Sequence, residues 1–318
     1  MGWTLTSDPE EFAARAGELL RADPVRHTLP LTLLETLRAA GPSAFGDHAP
    51  VYGWHEASEG AADRAADGAA DATADNTADG AFLQTPPFPV LVVALPADGA
   101  AEFVATFTAE HGVPHAINVS GADEAAFLAA WADVTGGTAG VGTRSRLFRL
   151  GELTPPDPAP AGAARVATAA DRDLVLAWLA AFHAEASPES PANVTRTLDD
   201  RLTRGGFTLW EAGGKPVALA GRTQAVAGVV RVAPVYTPPE HRRRSYGGAV
   251  TTAVTQAALD EGAEAVVLFT DQANPTSNAL YQRLGYRPVE DRVVLNLRPD
   301  PAERRDVTSA DGTSSERS

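Results

Sequence analysis

Val235-Tyr-Thr-Pro-Pro-Glu-His-Arg-Arg-Arg-Ser-Tyr-Gly-Gly-Ala249 sets three arginines between a proline pair and a glycine pair. The apolar, β-branched run VAGVVRVAPVY (226–236) leads into it and ends at Pro238-Pro239. Arginines, glycines and then a small-residue helical pattern follow. That order reads as strand, short loop, helix. The N–H groups opening a helix have no intrahelical partner and stand at the positive end of its dipole. Such a terminus suits a pyrophosphate: glycines let the backbone approach it, and arginines add charge and forked donors.

On the N-terminal side of that stretch, a strand is expected at Val166–Thr168 and a helix at Ala170–Glu185. A hairpin of Phe207–Ala212 and Pro216–Thr223 turns at Gly213-Gly214. Beyond the loop come a helix at Gly247–Glu261, a buried strand at Ala265–Thr270, a helix through Ser277–Leu284 and a strand at Arg292–Leu297. An antiparallel meander followed by β-α-β-α-β makes an α/β domain with a mixed sheet. A dinucleotide-binding oxidoreductase is excluded, because its glycine loop follows the first strand of a parallel sheet.

A second informative stretch, Asn274-Pro-Thr-Ser-Asn-Ala-Leu-Tyr281-Gln-Arg-Leu-Gly-Tyr286, follows the buried strand. Together the two stretches resemble the Gcn5-related N-acetyltransferase (GNAT) superfamily, in its two-domain actinobacterial form. The resemblance covers residues 163–298. The family's loop reads Arg/Gln-x-x-Gly-x-Gly/Ala; here it is Arg242-Arg-Arg-Ser245-Tyr-Gly247. Ser245 and Arg243 depart from it, whereas the register Arg244-Ser-Tyr-Gly247-Gly-Ala249 fits throughout. If the Ser245 position needs a positive φ, serine costs about 1 kcal/mol there.

The resemblance implies an acyl-CoA N-acyltransferase fold and acetyl-CoA as co-substrate, with no metal. The backbone of Val235, Tyr236 and Thr237 would hold the pantetheine arm as a pseudo-strand. The pyrophosphate would sit on Arg242, Arg243, Arg244, Ser245, Tyr246, Gly247 and Gly248, and Asn274 and Ser277 would contact the cofactor. Tyr281 would be catalytic, protonating the leaving thiolate, since a phenol of pKa about 10 can serve a thiol of pKa about 8.5. The implied reaction is acetyl transfer to a primary amine of a small molecule or peptide, by direct attack. The alternative is a non-catalytic acyl-CoA-binding or regulatory protein. His183 and Glu185 fall in the helix where the family lines its acceptor site. Glu211 and Asp271 are candidate bases, a bound water or backbone carbonyl is the alternative, and none is assigned.

In the first half, helices are expected at Glu10–Leu20 and Leu31–Ala40. Phe88–Leu95, Ala116–Val119 and Arg144–Leu150 read as strands, alternating with helices Ala101–His111 and Asp123–Val134. This order echoes the second half without an Arg-x-x-Gly-x-Gly loop. A degenerate copy of the same fold is expected over 1–155, with Glu152–Gly162 as linker. Ala61–Gly80 is a degenerate four-residue acidic repeat, AADR-AADG-AADA-TADN-TADG, with no large apolar residue to bury. It marks a disordered insert at about 57–80, and the tail 299–318 is expected to be disordered.

Across 318 residues there is no cysteine, which excludes disulfides, thiolate catalysis and Cys-based metal sites. The net charge of −15 argues against a nucleic-acid partner and favours a cationic amine as acceptor. MGWTLTSDPE lacks the order of a secretory leader, and no run approaches the roughly 20 apolar residues of a membrane span. A cytoplasmic monomer or homodimer is expected.

Overall fold

Side-chain alternation along the strands sets the layers. Val90 and Val92 pack with Phe103, Phe107 and Trp131 on one face, while Leu91 and Val93 pack with Phe12, Leu20 and Leu34 on the other. This is the period of two that puts both faces of a strand under helices. The computed structural model describes residues 2–56, 78–186 and 198–300.

The first half runs β1 (Trp3–Thr6), α1 (Pro9–Ala22), α2 (Thr28–Ala40), β2 (Val51–Glu56), β3 (Ala78–Gln84) and β4 (Val90–Ala94). It continues with α3 (Ala100–His111), β5 (Ala116–Ser120), α4 (Glu124–Thr135) and β6 (Thr138–Leu150). The second half runs β7 (Ala163–Val166), α5 (Arg172–Ala186), α6 (Leu198–Thr203), β8 (Phe207–Ala212), β9 (Lys215–Arg222) and β10 (Val229–Tyr236). It ends with α7 (Tyr246–Asp260), β11 (Ala265–Asp271), α8 (Pro275–Arg283) and β12 (Tyr286–Arg298). The two lists have the same order of elements.

All strands join one 12-stranded mixed sheet, β1-β2-β3-β4-β5-β12-β6-β11-β10-β9-β8-β7. Neighbours are antiparallel except β4–β5 and β10–β11. The order is symmetric about the β12–β6 pair, but the last strands have changed places. β12 hydrogen-bonds to β5 of the first half, and β6 to β11 of the second. Between them β6 and β12 pair along nearly their whole length, Tyr286 opposite Leu150 to Arg298 opposite Thr138. Each half's sheet is therefore completed by the other's final strand.

Several boundaries differ from expectation. β7 lies earlier than 166–168, because Thr168 caps the next turn: its side chain and that of Asp171 satisfy each other's backbone N–H. The acidic segment placed at about 57–80 ends sooner, since Ala78–Gly80 open β3 and the Asp79 carboxylate meets His55 Nδ1 at 2.6 Å. Residues 57–77 of that segment lie outside the described residues, as do 301–318 of the tail. The proline-rich stretch after β6 is packed rather than free: Thr154 N–H donates to Leu284 O, and Gly151 N–H to Gly285 O.

In the second half, Val230 and Val232 of β10 pack under α7 and α8 with Val250, Val254 and Leu284. The opposite face is covered by α5 and α6 through Val175, Leu179, Leu198 and Leu202 on Phe207, Leu209 and Leu219. Fully burying each such side chain contributes about 1.5–3 kcal/mol. That rigidity holds the ends of β10 and β11 where the site is built.

Candidate active site

β10 and β11 pair in parallel over only Val229–Arg231 and Ala265–Val267. β11 then continues to Asp271 bonded to β6, and β10 continues to Tyr236 bonded to β9. The strands thus part in the middle of the sheet. The cause lies in β10: Pro234 has no N–H to give, and the pairing with β9 shifts register between Val232 and Val235. Val235, Tyr236 and Thr237 lie beyond that bulge, on the side that has lost its neighbour.

At the end of β10 the chain makes a single turn over Pro239–His241 and enters the arginine loop. Arg242 folds back, donating from Nε to Thr237 O at 2.9 Å and pairing through Nη2 with Glu185 of α5 at 2.6 Å. Glu185 Oε1 also accepts from the Tyr236 hydroxyl at 3.4 Å. Burial and the Glu185 charge raise the Tyr236 pKa, while Trp178 packs 6.2 Å from its ring. Arg243 and Arg244 are exposed, with no ion-pair partner among the described residues.

Ser245 is the N-cap of α7 at φ 60° and ψ 8°, and Arg243 stands at φ 62°. Both departures from the family's glycines therefore occupy the left-handed region where glycine is favoured. The serine side chain makes no capping hydrogen bond. Ala249 N–H is the first to bond back, to Ser245 O, which leaves Tyr246, Gly247 and Gly248 N–H at the free helix end. A Cβ on Gly247 would meet Thr237 Oγ1 at 3.3 Å, and one on Gly248 would meet Leu280 and Pro156 at 3.2 Å. Glycine at both lets α7 begin hard against the end of β10 and against α8.

Asn274 caps α8, its Oδ1 accepting from Ser277 N–H at 3.0 Å. Tyr281 projects from α8 into the same apolar cluster as Val232, and Val235 and Tyr246 pack against that cluster. Its ring meets Tyr286 edge-on at 6.1 Å, and burial pushes its pKa up to about 12. Tyr286 has a partner in Thr255 Oγ1 at 2.7 Å, whereas the Tyr281 hydroxyl has none among the described residues. Of the candidate bases, Glu211 sits on β8 and pairs with Arg165 at 2.9 Å, two strands from the opening. Asp271 accepts from Ala273 N–H at 2.8 Å at the end of β11. Among the described residues no group of three or more His, Asp or Glu could hold a metal ion, and no helix could cross a membrane.

The elements thus bring together a free helix terminus, the mouth of parted parallel strands and, behind them, a buried phenol. Residues 172–286 match the profile of the Acetyltransferase (GNAT) family. That stretch is a GNAT domain, and it takes up most of the second half of the chain. No curated protein matches it. A GCN5-related N-acetyltransferase from Sphaerobacter thermophilus is 15% identical with a TM-score of 0.58, covering 93% of this chain and 95% of its own. A Drosophila protein is 15% identical with a TM-score of 0.61, covering 94% and 99%. A GCN5-related N-acetyltransferase from Kribbella flavida is 24% identical with a TM-score of 0.49, covering 70% and 87%. The Sphaerobacter protein extends the GNAT likeness of fold over nearly the whole chain, both halves included, and the Drosophila protein is similar in fold over the same extent.

The first half of the chain has no counterpart of the loop. Leu95–Gly99 alone joins β4 to α3, and its one charged residue is Asp98. β4 and β5 also part, after Val90–Leu91 opposite Ile117–Asn118. There Arg292 of β12 fills the opening: its guanidinium donates to Val92 O at 2.6 Å and to Asn118 Oδ1 at 2.9 Å, and it is buried. Nothing in the local sequence around Arg292 signals this role.

Proposed function

We propose that residues 163–298 are the catalytic unit of an acetyl-CoA-dependent N-acetyltransferase, acting on a primary amine of a small molecule or peptide. The parting of β10 from β11 beneath the free end of α7 carries this reading. The N–H groups of Tyr246, Gly247 and Gly248, with Arg243 and Arg244, would hold the pyrophosphate, and β10 from Val235 to Thr237 would hold the pantetheine arm. Arg242, tied to Thr237 O and Glu185, positions the loop.

The amine loses a proton to water and attacks the thioester carbonyl; a C–N bond forms as the C–S bond breaks. Tyr281 donates its proton to the departing sulfur, and the second proton leaving nitrogen returns through water to the phenolate. Burial that raises the phenol's pKa raises a thiolate's as well, so the two stay matched. Residues 1–155 serve as a copy without turnover: Arg292 closes its opening, and α2 reaches β10 through Thr32 and Arg231. One observation favours the alternative of a non-catalytic acyl-CoA binder, namely that Arg243 and Ser245 hold left-handed positions at a strain cost.

Calorimetric titration with acetyl-CoA tests the reading, with Arg243→Ala/Arg244→Ala beside it. Micromolar binding weakened at least about tenfold in the variant, followed by amine-dependent thiol release, supports it. Binding without release for any amine favours the alternative, and no binding to any acyl-CoA overturns both.

A further inference from the structure

Two arginines on the α5–α6 face of the second half have no counter-charge among the described residues. Arg231 alternates with Val230 and Val232, which face α7, so its side chain enters the opposite face, where Nη1 donates to Thr32 Oγ1 at 2.9 Å. Arg201 of α6 lies over the Phe207 ring at 4.2 Å and donates from Nη2 to Ala233 O at 2.9 Å. Gly221 makes room for it: a Cβ there would stand 2.7 Å from Arg201 Nη2.

Both guanidinium groups are largely enclosed by protein while keeping part of their surface open. Arg165, Arg172, Arg204, Arg222 and Arg242 of the same half each pair with a carboxylate. Neither Arg201 nor Arg231 does so among the described residues. Burial lowers Arg201 to about 10, and burial together with the Arg201 charge lowers Arg231 to about 10. Enclosed like charges are unfavourable unless an anion joins them.

The placement relates the pair to the reaction. Arg201 bonds to the carbonyl of Ala233, inside the bulge that turns β10 away from β11, and Arg231 precedes that bulge on the same strand. An acceptor with its nitrogen at the opening would set its other end on these arginines. We infer that the acceptor is an amino-carboxylate, its carboxylate held by Arg201 and Arg231 a few bonds from the attacking nitrogen; this rests on the acetyl-transfer reading. Five donors on each arginine leave ample capacity for a forked contact to a carboxylate. The inference runs against the cationic acceptor that the overall charge suggests, and local geometry outweighs net charge once a ligand is bound.

The test offers alanine, glutamate and phenylalanine, each beside its α-carboxamide and its α-decarboxylated amine, with acetyl-CoA, following thiol release. In parallel, the three N-acetyl amino acids are titrated calorimetrically, with and without CoA. The expected result is kcat/KM at least about tenfold higher for one amino acid than for its carboxamide, expressed mainly in KM. Arg231→Met should bring that ratio to within about twofold at unchanged acetyl-CoA affinity. Arg201→Gln, which keeps a donor for Ala233 O, should do the same and covers the case in which the methionine variant does not fold. Equal use of the carboxamide or decarboxylated amine, or a preference that survives both variants, overturns the inference. If no amine is turned over, the titration decides: saturable binding lost in the variants supports the arginine site, and no binding overturns it. Failure to bind acetyl-CoA strikes the acetyl-transfer reading alone, while the titration without CoA still judges the arginines.

Discussion

Replacing Ser245 by glycine should stabilise this protein. The residue stands at φ 60°, exposed, and its hydroxyl caps nothing. An L-residue in the left-handed region carries roughly 1–2 kcal/mol of steric cost that glycine does not. Glycine returns about 0.4–1 kcal/mol of this through the greater freedom of its unfolded chain. The net gain is about 0.5–1 kcal/mol, or about 1–3 °C in Tm for a cooperative unit of this size. Thermal unfolding followed by circular dichroism reads it, with Ser245→Ala as control, which keeps the strain and removes only an idle hydroxyl. The glycine variant should melt above the parent, the alanine variant at or slightly below it. A glycine variant that melts with or below the alanine variant would refute the claim that the loop stores strain at this position. Acetyl-CoA affinity should not fall in the glycine variant, because the α7 N–H groups stay where they are.

Tyr281→Phe should lower kcat by about 10²-fold or more while leaving the Kd for acetyl-CoA within about twofold, as thiol-release kinetics and calorimetry would show. With the phenol raised to about 12, the rate should show no alkaline fall attributable to Tyr281 below about pH 10. Gly285 stands at φ +98°, and a Cβ on it would lie 1.7 Å from Glu152 O, so Gly285→Ala should cost at least about 2 kcal/mol in denaturant unfolding. The bidentate Arg165 guanidinium holds Asp171, whose side chain is 12% exposed, at about 2 against an ordinary 3.8. A depressed carboxylate stabilises above its unfolded pKa and loses that contribution as pH falls through its folded one. Asp171→Asn should therefore be about 2 kcal/mol less stable than the parent at pH 6, and the gap should close between about pH 4 and pH 2. A gap independent of pH would show that the ion pair is not its source.

Much of the second half was legible because its strands carry dense apolar runs and its loops carry glycine and proline. β10, α7, β11 and α8 stand within a few residues of where periodicity put them. β1, β2 and β3 escaped the sequence reading. β1 is a four-residue edge strand, and β2 and β3 flank an acidic repeat whose composition masks them, so that β3 even begins inside it. The exchange of β6 and β12 left no mark either, because both are closing strands with similar apolar faces, and pairing choice is made at long range. The place of the arginine loop at the start of α7 could be read from spacing. Arg201, Arg231 and Arg292 could not, because an arginine's burial depends on which strand passes over it.

The exchanged strands also set an order of events during synthesis. When the ribosome has made Ser120, the partner of β5 is still more than 160 residues away, at 286–298. At about 5–20 residues per second, that edge waits on the order of ten seconds or longer. In the meantime Ile117 and Val119 border an open strand, the kind of edge that other chains can join. β6, by contrast, is finished before the half it will serve has begun. A chain that stops short of Tyr286 would leave the damage in the first half, far from the break in sequence. Inheritance is constrained in the same way: neither half can be cut at the proline-rich stretch and passed on as an independent unit, because each would leave with the other's strand.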